Sequence, residues 1–420
     1  MLDSEFQDAW PRIVRALASH TGSLDDAEEY AAESLARAAD QLRRPGSRID
    51  SLAAWCIAVA KRAWTDERRR RAVEARLTPE LVVPQVDPTS VPDMPDDPLV
   101  RGSDSLDDRL ALLFVACDDA LSATSQLVLA LRVVCGLTTR QIASHLGIQE
   151  TAAAARLTRA KRTLAEARGA FRVPDPAEQQ RRLPVVLACV AGMFTVAHRT
   201  VLDPVDALAD TGRQALSIAD ALVAAFPADP EVRGLRGVIR LGLARRPGRI
   251  DSAGTALALD EVDRRRWNRG LLARGLEDAT FASARSSGRF ALEAAISGLH
   301  SVAATYADTD WTRIITLYTA LEQVWPSPSV VVARLAATAH LLIAEHESPA
   351  RTEGLRHVEE ELLRWEASPA AYASRDASLT LADLTWRTGR REEASARYRD
   401  LAEVMAAEPL RLFCLRRADS

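Results

Sequence analysis

The chain has 420 residues, of which 47% are hydrophobic and 27% charged, and its formal net charge is −4. This length suggests two or three globular domains with sizeable apolar cores. Aromatic residues are few while Ala, Leu and Arg abound, so the composition predicts an all-α protein. The five cysteines are widely spaced and form no CxxC pair, which excludes a disulfide scaffold and predicts reduced core residues.

Targeting and catalytic signals are missing from the sequence. Residues 1–5 lack the basic and apolar parts of a signal peptide, and no run of about 18 apolar residues could cross a bilayer. We therefore expect a soluble, cytoplasmic protein with no membrane partner. The seven histidines show no HExxH spacing, and no glycine-rich phosphate loop occurs. The sequence predicts no catalytic residue, metal site or cofactor, so we expect that the protein is not an enzyme.

Residues 1–77 predict a bundle of three amphipathic helices. The first has an apolar stripe formed by Phe6, Trp10, Ile13, Val14 and Leu17. The second, capped by Ser23 or Asp25, is predicted to show an acidic face formed by Asp26, Glu28, Glu29 and Glu33. The third begins near Asp50 and is predicted to bury Leu52, Trp55 and Val59 before it becomes basic.

The basic end of the third helix is the first of two candidate DNA-binding elements. Its candidate residues are Lys61, Arg62, Trp64, Arg68, Arg69 and Arg70. The cationic side chains would neutralise phosphates without reading sequence, and the alternative is a solvated helix end. Trp64 would either stack on an unpaired base or pack against the first helix as core. An acidic, proline-rich stretch follows at residues 78–105 and predicts an extended linker.

Residues 106–172 predict further helices that end in a helix-turn-helix. Thr138 or Thr139 would cap a short helix, Gly147 would form the turn, and a second helix would follow with Leu157 inward. The start of this second helix would meet base edges in the major groove, and its arginines would contact phosphate or guanine. The candidate DNA-binding residues of the whole helix-turn-helix are Thr139, Gln149, Glu150, Thr151, Arg156, Arg159 and Arg162. Helix capping is the alternative role for residues 149–151.

Residues 173–420 predict helical pairs. The clearest pair runs from Ala377 to Tyr398 and contains a turn at Gly389 followed by an E-E-A-x-x-x-Y helix, which is typical of tetratricopeptide repeats. Such pairs stack into a superhelix whose concave face binds partners. We therefore expect a regulatory protein or peptide to bind this domain.

Five stretches together resemble bacterial extracytoplasmic-function (ECF) sigma factors of the sigma-70 family. More closely, the chain resembles the subgroup with a tetratricopeptide-like C-terminal extension. The stretches are Lys61–Arg70, Asp107–Leu110, Phe171–Pro174, Ala244–Asp251 and Thr309–Trp311. The resemblance implies core RNA polymerase and promoter DNA as partners. It assigns residues 1–77 to region 2, which binds polymerase and the −10 element, and residues 106–172 to region 4, which binds the −35 element.

The resemblance also implies that the acidic face of the second helix contacts polymerase. The sequence thus predicts an alternative sigma factor whose activity is modulated by residues 173–420. Two other functions stay open. One is a helix-turn-helix transcriptional regulator with a repeat sensor domain, and the other is a tetratricopeptide scaffold with a degenerate sigma-like front.

Overall fold

The computed structural model describes residues 2–77, 106–146, 148–200 and 210–420, except for the side chains of residues 2–4, 75–77, 145 and 196–200. Within these ranges the regular structure is helical apart from an isolated antiparallel bridge between Ile250 and Ala256. The predicted all-α class is confirmed. The predicted linker, 78–105, lies outside the described residues. The chain forms two compact units, Met1–Met193 and Phe194–Ser420.

The first unit contains two small helical bundles. Its helices are α1 (Leu2–Thr21), α2 (Leu24–Leu42), α3 (Leu52–Leu77), α4 (Asp108–Ala116), α5 (Ala123–Val133), α6 (Thr139–Leu146), α7 (Glu150–Arg168) and the beginning of α8 (Pro176–Thr200). The first three pack against one another, and α4 to α7 form the second bundle. The order of these elements follows the predicted one.

Apolar residues of α1 supply much of the first bundle's core. Ile13, Val14 and Leu17 are fully buried, and the burial of each such side chain contributes roughly 1.5–3 kcal/mol. Ser23 begins α2 because its hydroxyl accepts a hydrogen bond from the backbone N–H of Asp26 at 3.2 Å. This bond satisfies one of the N–H groups that the first turn leaves unpaired.

The buried face of α3 differs from the predicted one. Leu52, Trp55 and Val59 are only half-buried, so the predicted inward stripe is wrong. The buried positions are Ala53, Cys56 and Ala60. Small side chains at these positions let α3 lie close to α1 and α2, and the larger neighbours then extend along the edge of the contact.

The boundary between the two compact units lies within α8. Arg182, near the start of this helix, donates a hydrogen bond to the carbonyl of Phe114 at 3.1 Å and pairs with Asp118 at 2.8 Å. This end of α8 therefore packs with the second bundle. The predicted domain boundary falls earlier, between residues 172 and 173, whereas the compact units divide between Met193 and Phe194.

The second unit is a succession of helices. They are α9 (Thr211–Ala225), α10 (Pro230–Arg245), α11 (Arg269–Ser283), α12 (Arg289–Val302), α13 (Trp311–Val324), α14 (Pro328–Ala344), α15 (Pro349–Glu366), α16 (Ala371–Arg387), α17 (Arg391–Val404) and α18 (Glu408–Ala418). From α9 to α18 each helix packs against the next. Gly389 has φ 83° in the turn between α16 and α17, and Tyr398 of α17 is fully buried.

A long loop joins α10 to α11 and contacts the last helices of the stack. Within it, the backbone N–H of Ala256 donates to the carbonyl of Pro409 at 2.9 Å. Glu261 pairs with Arg416 and Arg417 of α18 at 2.6 and 3.2 Å. The loop therefore connects the two ends of the second unit, and the stack is not an open array of repeats.

Candidate nucleic-acid interface

The basic end of α3 presents several arginines to solvent. Arg62, Arg68, Arg69 and Arg70 are exposed, and Lys61 is half-buried. Neighbouring acids compensate part of this charge, because Glu67 pairs with Arg70 and Arg71, and Asp66 lies 3.9 Å from Arg69. Among the described residues, Arg62 has no acidic partner. The segment therefore presents less free positive charge than its sequence suggests.

Trp64 combines features of the two roles considered for it, which are stacking on an unpaired base and packing against α1. Its ring is half-buried and meets the ring of His20 edge-on, with 4.9 Å between centroids. The Arg68 guanidinium lies 4.9 Å from the centroid of the same indole. The side chain is thus anchored on α1 yet keeps an accessible part beside an exposed arginine.

The first helix of the helix-turn-helix begins with a capping box. The Thr138 hydroxyl accepts from the backbone N–H of Gln141 at 3.2 Å, and the Gln141 side chain accepts from the backbone N–H of Thr138 at 2.8 Å. Reciprocal bonds of this kind fix the start of a helix. Thr138 is therefore the cap, and half-buried Thr139 is the first residue of α6. The turn residue Gly147 lies outside the described residues.

The start of α7 leaves polar side chains free to meet a ligand. Gln149 occupies the N-cap position and is exposed, but its side chain makes no capping bond. Thr151 is exposed as well, and Glu150 lies 3.6 Å from Arg140 of α6. Capping therefore does not account for Gln149, and its amide is available for another contact.

The arginines of α7 differ in their partners. Arg159 is exposed and Arg156 half-buried, and within the described ranges neither forms an ion pair. Arg162 lies 3.6 Å from Glu166 on the same helix. On the opposite face Ala153, Leu157, Ala160 and Leu164 are buried. The helix thus packs with one side and presents cations on the other, as phosphate contact requires.

The acidic residues of α2 do not share one face, so this part of the prediction is wrong. Asp26, Glu29 and Glu33 follow i, i+3, i+7 spacing and lie on one side; Glu29 and Glu33 are exposed and Asp26 half-buried. Glu28 points away from them, since it is two residues from Asp26, and its side chain is only 4% exposed. A polymerase-binding surface on α2 can use the first three carboxylates but not Glu28.

Glu28 instead holds the two bundles of the first unit together. Its carboxylate pairs with Arg132 of α5 at 2.6 Å and with Lys161 of α7 at 3.2 Å. Beside these pairs, Trp10 packs on Gly136, at which an added Cβ would lie 3.2 Å from the indole. We call these five residues the inter-bundle contact. The sequence analysis missed it, and the one available signal was Lys161, one of only two lysines in the chain.

The described residues contain no group of three His, Cys, Asp or Glu side chains that could hold a metal ion. None of the described helices is long and apolar enough to cross a membrane. All five cysteines are buried and unpaired, as predicted. That the protein is not an enzyme stays a prediction.

Comparison with known proteins supports the assignment of the α6–α7 pair. The profile of sigma-70 region 4 matches residues 113–164, and a family of unknown function, DUF6596, matches residues 182–293. An uncharacterized protein of Rhizobium meliloti strain 1021, R00370, is 35% identical over 351 residues, which cover 83% of this chain and 80% of the relative. No solved structure matches significantly. The chain therefore belongs to the same protein family as R00370 and carries a sigma-70 region 4 domain.

Proposed function

We propose that this chain is an alternative sigma factor, which binds core RNA polymerase and promoter DNA and directs transcription initiation. The observation that carries the proposal is the helix-turn-helix of α6 and α7. This pair is matched by sigma-70 region 4 up to residue 164. The start of α7 presents polar side chains such as Gln149, which does not cap the helix, and further along lie arginines that form no ion pair among the described residues. The proposed role involves no bond-making chemistry.

In this proposal, α7 reads the upstream promoter element. Gln149 can form two hydrogen bonds with adenine, and Glu150 can accept from cytosine, once its weak pairing with Arg140 opens. Arg156 and Arg159 contact phosphates or guanine. Four consecutive alanines, 152–155, follow the polar start, so direct readout is sparse and sequence-dependent DNA shape contributes to recognition.

The basic end of α3 engages the second promoter element. Arg62 and Arg68 supply phosphate contacts, and the accessible part of Trp64 stacks on an unpaired base, which contributes roughly 1–3 kcal/mol. Because Trp64 is already held against His20, little side-chain entropy is lost when a base stacks on it.

The finer assignment is an ECF-type sigma factor with a tetratricopeptide-like C-terminal extension. Its support is the arrangement of the second unit, where each helix packs on the next and α16 and α17 form the pair with the repeat-like sequence. The loop between α10 and α11 departs from a simple repeat because it contacts the last helices.

Binding to core polymerase tests the proposal directly. We expect the purified chain to co-purify with core enzyme and to start transcription at a cognate promoter. Charge reversal of Asp26, Glu29 and Glu33 to lysine should weaken this binding. The matched control reverses three exposed acids of the second unit, Glu353, Glu360 and Glu403, and should leave it intact.

The outcomes separate the three candidate functions. Specific DNA binding without polymerase binding would favour a helix-turn-helix regulator with a sensor domain. Loss of both activities in a folded protein would favour a scaffold. Equal polymerase binding by the α2 reversal and its control would remove the α2 surface from the proposal.

The second unit is proposed to modulate promoter activity in cis. A chain that ends after Met193 tests this better than one that ends near residue 173, because Arg182 of α8 is buried against the first unit. In a purified system of polymerase, DNA and sigma variant, the shortened chain should differ from the full chain in transcription. Equal transcription by a folded shortened chain with equal polymerase affinity would instead favour a docking platform for an external partner.

A further inference from the structure

Arginines cluster where α10 ends and where the following loop returns to α11. The sequence Arg245–Arg249 and the run Arg264–Arg266 together contain six arginines. Two of them pair with acids, and a third donates to a loop carbonyl. They are Arg246, which pairs with Asp210; Arg265, which pairs with Asp263 at 3.0 Å; and Arg266, which donates to the carbonyl of Ile250 at 3.0 Å.

Arg245 and Arg264 differ from these in having no carboxylate partner among the described residues. Within the described ranges neither forms an ion pair, and the Arg245 side chain makes no hydrogen bond. Arg264 donates through Nη1 to the carbonyls of His300 and Ala303 at the end of α12. Burial lowers the pKa of Arg264, and the charge of Asp308 acts in the opposite direction without outweighing it. The Oδ2 atom of Asp308 is already bonded to the backbone N–H and hydroxyl of Thr305.

Around this cluster, several buried nitrogen atoms have no hydrogen-bond partner among the described residues. They are Arg264 Nη2, Trp267 Nε1 and His300 Nδ1, and Arg246 Nη2 is a fourth. The Arg264 guanidinium lies 5.2 Å from the centroid of Trp267. A Cβ added at Gly248 would lie 2.8 Å from Trp267 Nε1, so the Gly248 backbone lies close against the indole and only glycine fits there. Buried polar groups are normally paired, and unpaired ones call for an explanation.

Positive charge dominates the cluster. Burial lowers the pKa of Arg245 to about 10, and the charge of Arg264 contributes in the same direction. Burial, with the charges of Arg245 and Arg264, lowers the pKa of His300 to about 3. Near pH 7 both guanidinium groups are therefore charged and His300 is neutral. Cations held together at low dielectric are unfavourable unless an opposite charge joins them.

We propose that Arg245, Arg264, Trp267 and His300 form a binding site for a small anion, which presents a carboxylate or phosphate group to the cluster. The oxygens of such a group accept from the unpaired N–H groups, and the guanidinium groups neutralise its charge in a planar, forked geometry. Arg245, Arg264 and His300 are half-buried, so the anion can reach the cluster from solvent. The site belongs to the second unit alone and does not depend on the proposed promoter binding.

Binding of simple anions to the full-length chain tests the proposal. Isothermal titration with inorganic phosphate and, separately, with citrate distinguishes phosphate from carboxylate as the bound group, with sodium chloride at matched ionic strength as reference. We expect saturable binding of at least one of them. Arg245→Gln should weaken it roughly ten- to hundred-fold, the loss expected for a charge-assisted hydrogen bond.

Thermal unfolding of the same variants distinguishes a binding role from a structural one. In chloride, Arg245→Gln should unfold at the same or a higher temperature than the original chain, because one of two repelling charges is gone. Arg274→Gln, which alters an exposed arginine of α11 without an ion pair in the described residues, is the control and should bind anions like the original chain. General salt effects on stability act equally on all three proteins.

Two results would overturn the proposal. One is the absence of saturable binding of both phosphate and citrate to the folded chain. The other is Arg245→Gln that binds as tightly as the Arg274→Gln control. Arg264→Gln is not used for this decision, since loss of its bonds to the α12 carbonyls is expected to alter the fold locally.

Discussion

The two ends of α10 place arginines in opposite electrostatic surroundings. Near its start, three arginines converge on Asp278, whose side chain is 1% exposed. They are Arg233, Arg236 and Arg240, with N···O distances of 3.1, 2.8 and 2.9 Å. At its end, Arg245 has no carboxylate partner within the described ranges. Arginine thus connects helices where a buried carboxylate is present and leaves uncompensated charge where none is.

The first unit contains the same contrast. Asp118 is buried between Arg168 and Arg182, both at 2.8 Å. Burial acts to raise the pKa of Asp118, but hydrogen bonds from Arg168 and from the backbone N–H of Ala120, with the charge of Arg182, outweigh it and lower the pKa. Arg159 of α7, by contrast, faces solvent without an ion pair in the described residues. Paired arginines stabilise the unit, and unpaired ones are available to a ligand.

Removal of the carboxylate at the start of α10 should have the largest effect. Asp278→Asn keeps the shape but leaves three arginines with no buried counter-charge. Breaking a buried ion pair on one side costs roughly 3–5 kcal/mol, and we expect a loss of this size in urea unfolding. The control is Asp220→Asn, because Asp220 pairs with Arg236 and Arg240 but is 46% exposed; it should cost at most about 1 kcal/mol. Equal losses would show that burial of the carboxylate is not decisive.

Removal of the carboxylate charge from the inter-bundle contact should also lower the free energy of unfolding, but by less. Glu28→Gln removes the charge between Arg132 and Lys161, and Arg132 is 24% exposed, so water screens part of the effect. We expect a loss near the lower end of the buried-pair range, about 3 kcal/mol, in the unfolding of the first unit. Glu29→Gln alters the exposed neighbour and should cost less than about 0.5 kcal/mol. Similar stabilities of the two variants would contradict the role assigned to Glu28.

The pH dependence of stability should report on His300, which lies beside the arginines at the end of α10. The lowered pKa of His300, about 3, lies below the value of about 6.5 for an unfolded histidine. Between these pH values the unfolded chain binds the extra proton, so stability falls as the pH falls below about 6.5. The slope from one proton is at most about 1.4 kcal/mol per pH unit.

The variant that tests this slope is His300→Phe, which keeps a ring against Trp311. The difference in unfolding free energy between the original chain and this variant should change between pH 6.5 and 5 by the stated slope. His346→Gln alters an exposed histidine of the same unit and serves as the control. A pH-independent difference for His300→Phe would mean that the buried cationic surroundings do not act on His300.

Local periodicity predicted the helices but not their charged contacts. The stripe of Ile13, Val14 and Leu17 is buried as its spacing requires, because burial of one helix face is a local pattern. Glu28 and its partner Arg132 are 104 residues apart, and no local rule relates them. On α3, burial favoured small residues such as Ala53 over Leu52, since the close approach of three helices depends on their partners and not on hydrophobicity alone.

The candidate nucleic-acid interface was likewise predictable only where local sequence signals define it. The polar start of α7 was recognisable from the turn and cap signals of a helix-turn-helix, and the structure adds that the Gln149 side chain does not cap the helix. The anion site at the end of α10 was not predicted, although its arginines were visible in the sequence. Its defining feature is that Arg245 and Arg264 have no acidic partner in the described part of the chain, which depends on how the loop returns beside α12.

The smallest effect in free energy is expected where unpaired arginines face solvent, on α7. Arg156→Ala combined with Arg159→Ala should leave stability nearly unchanged, since neither side chain forms an ion pair in the described part of the chain. It should weaken promoter binding and reduce the dependence of log K on log salt by about one unit per lost phosphate contact. Arg274→Ala, at an exposed arginine of the second unit, should not change this slope. If the double variant and this control give the same salt slope as the original chain, the α7 arginines do not contact DNA, and their lack of partners would be ordinary solvent exposure.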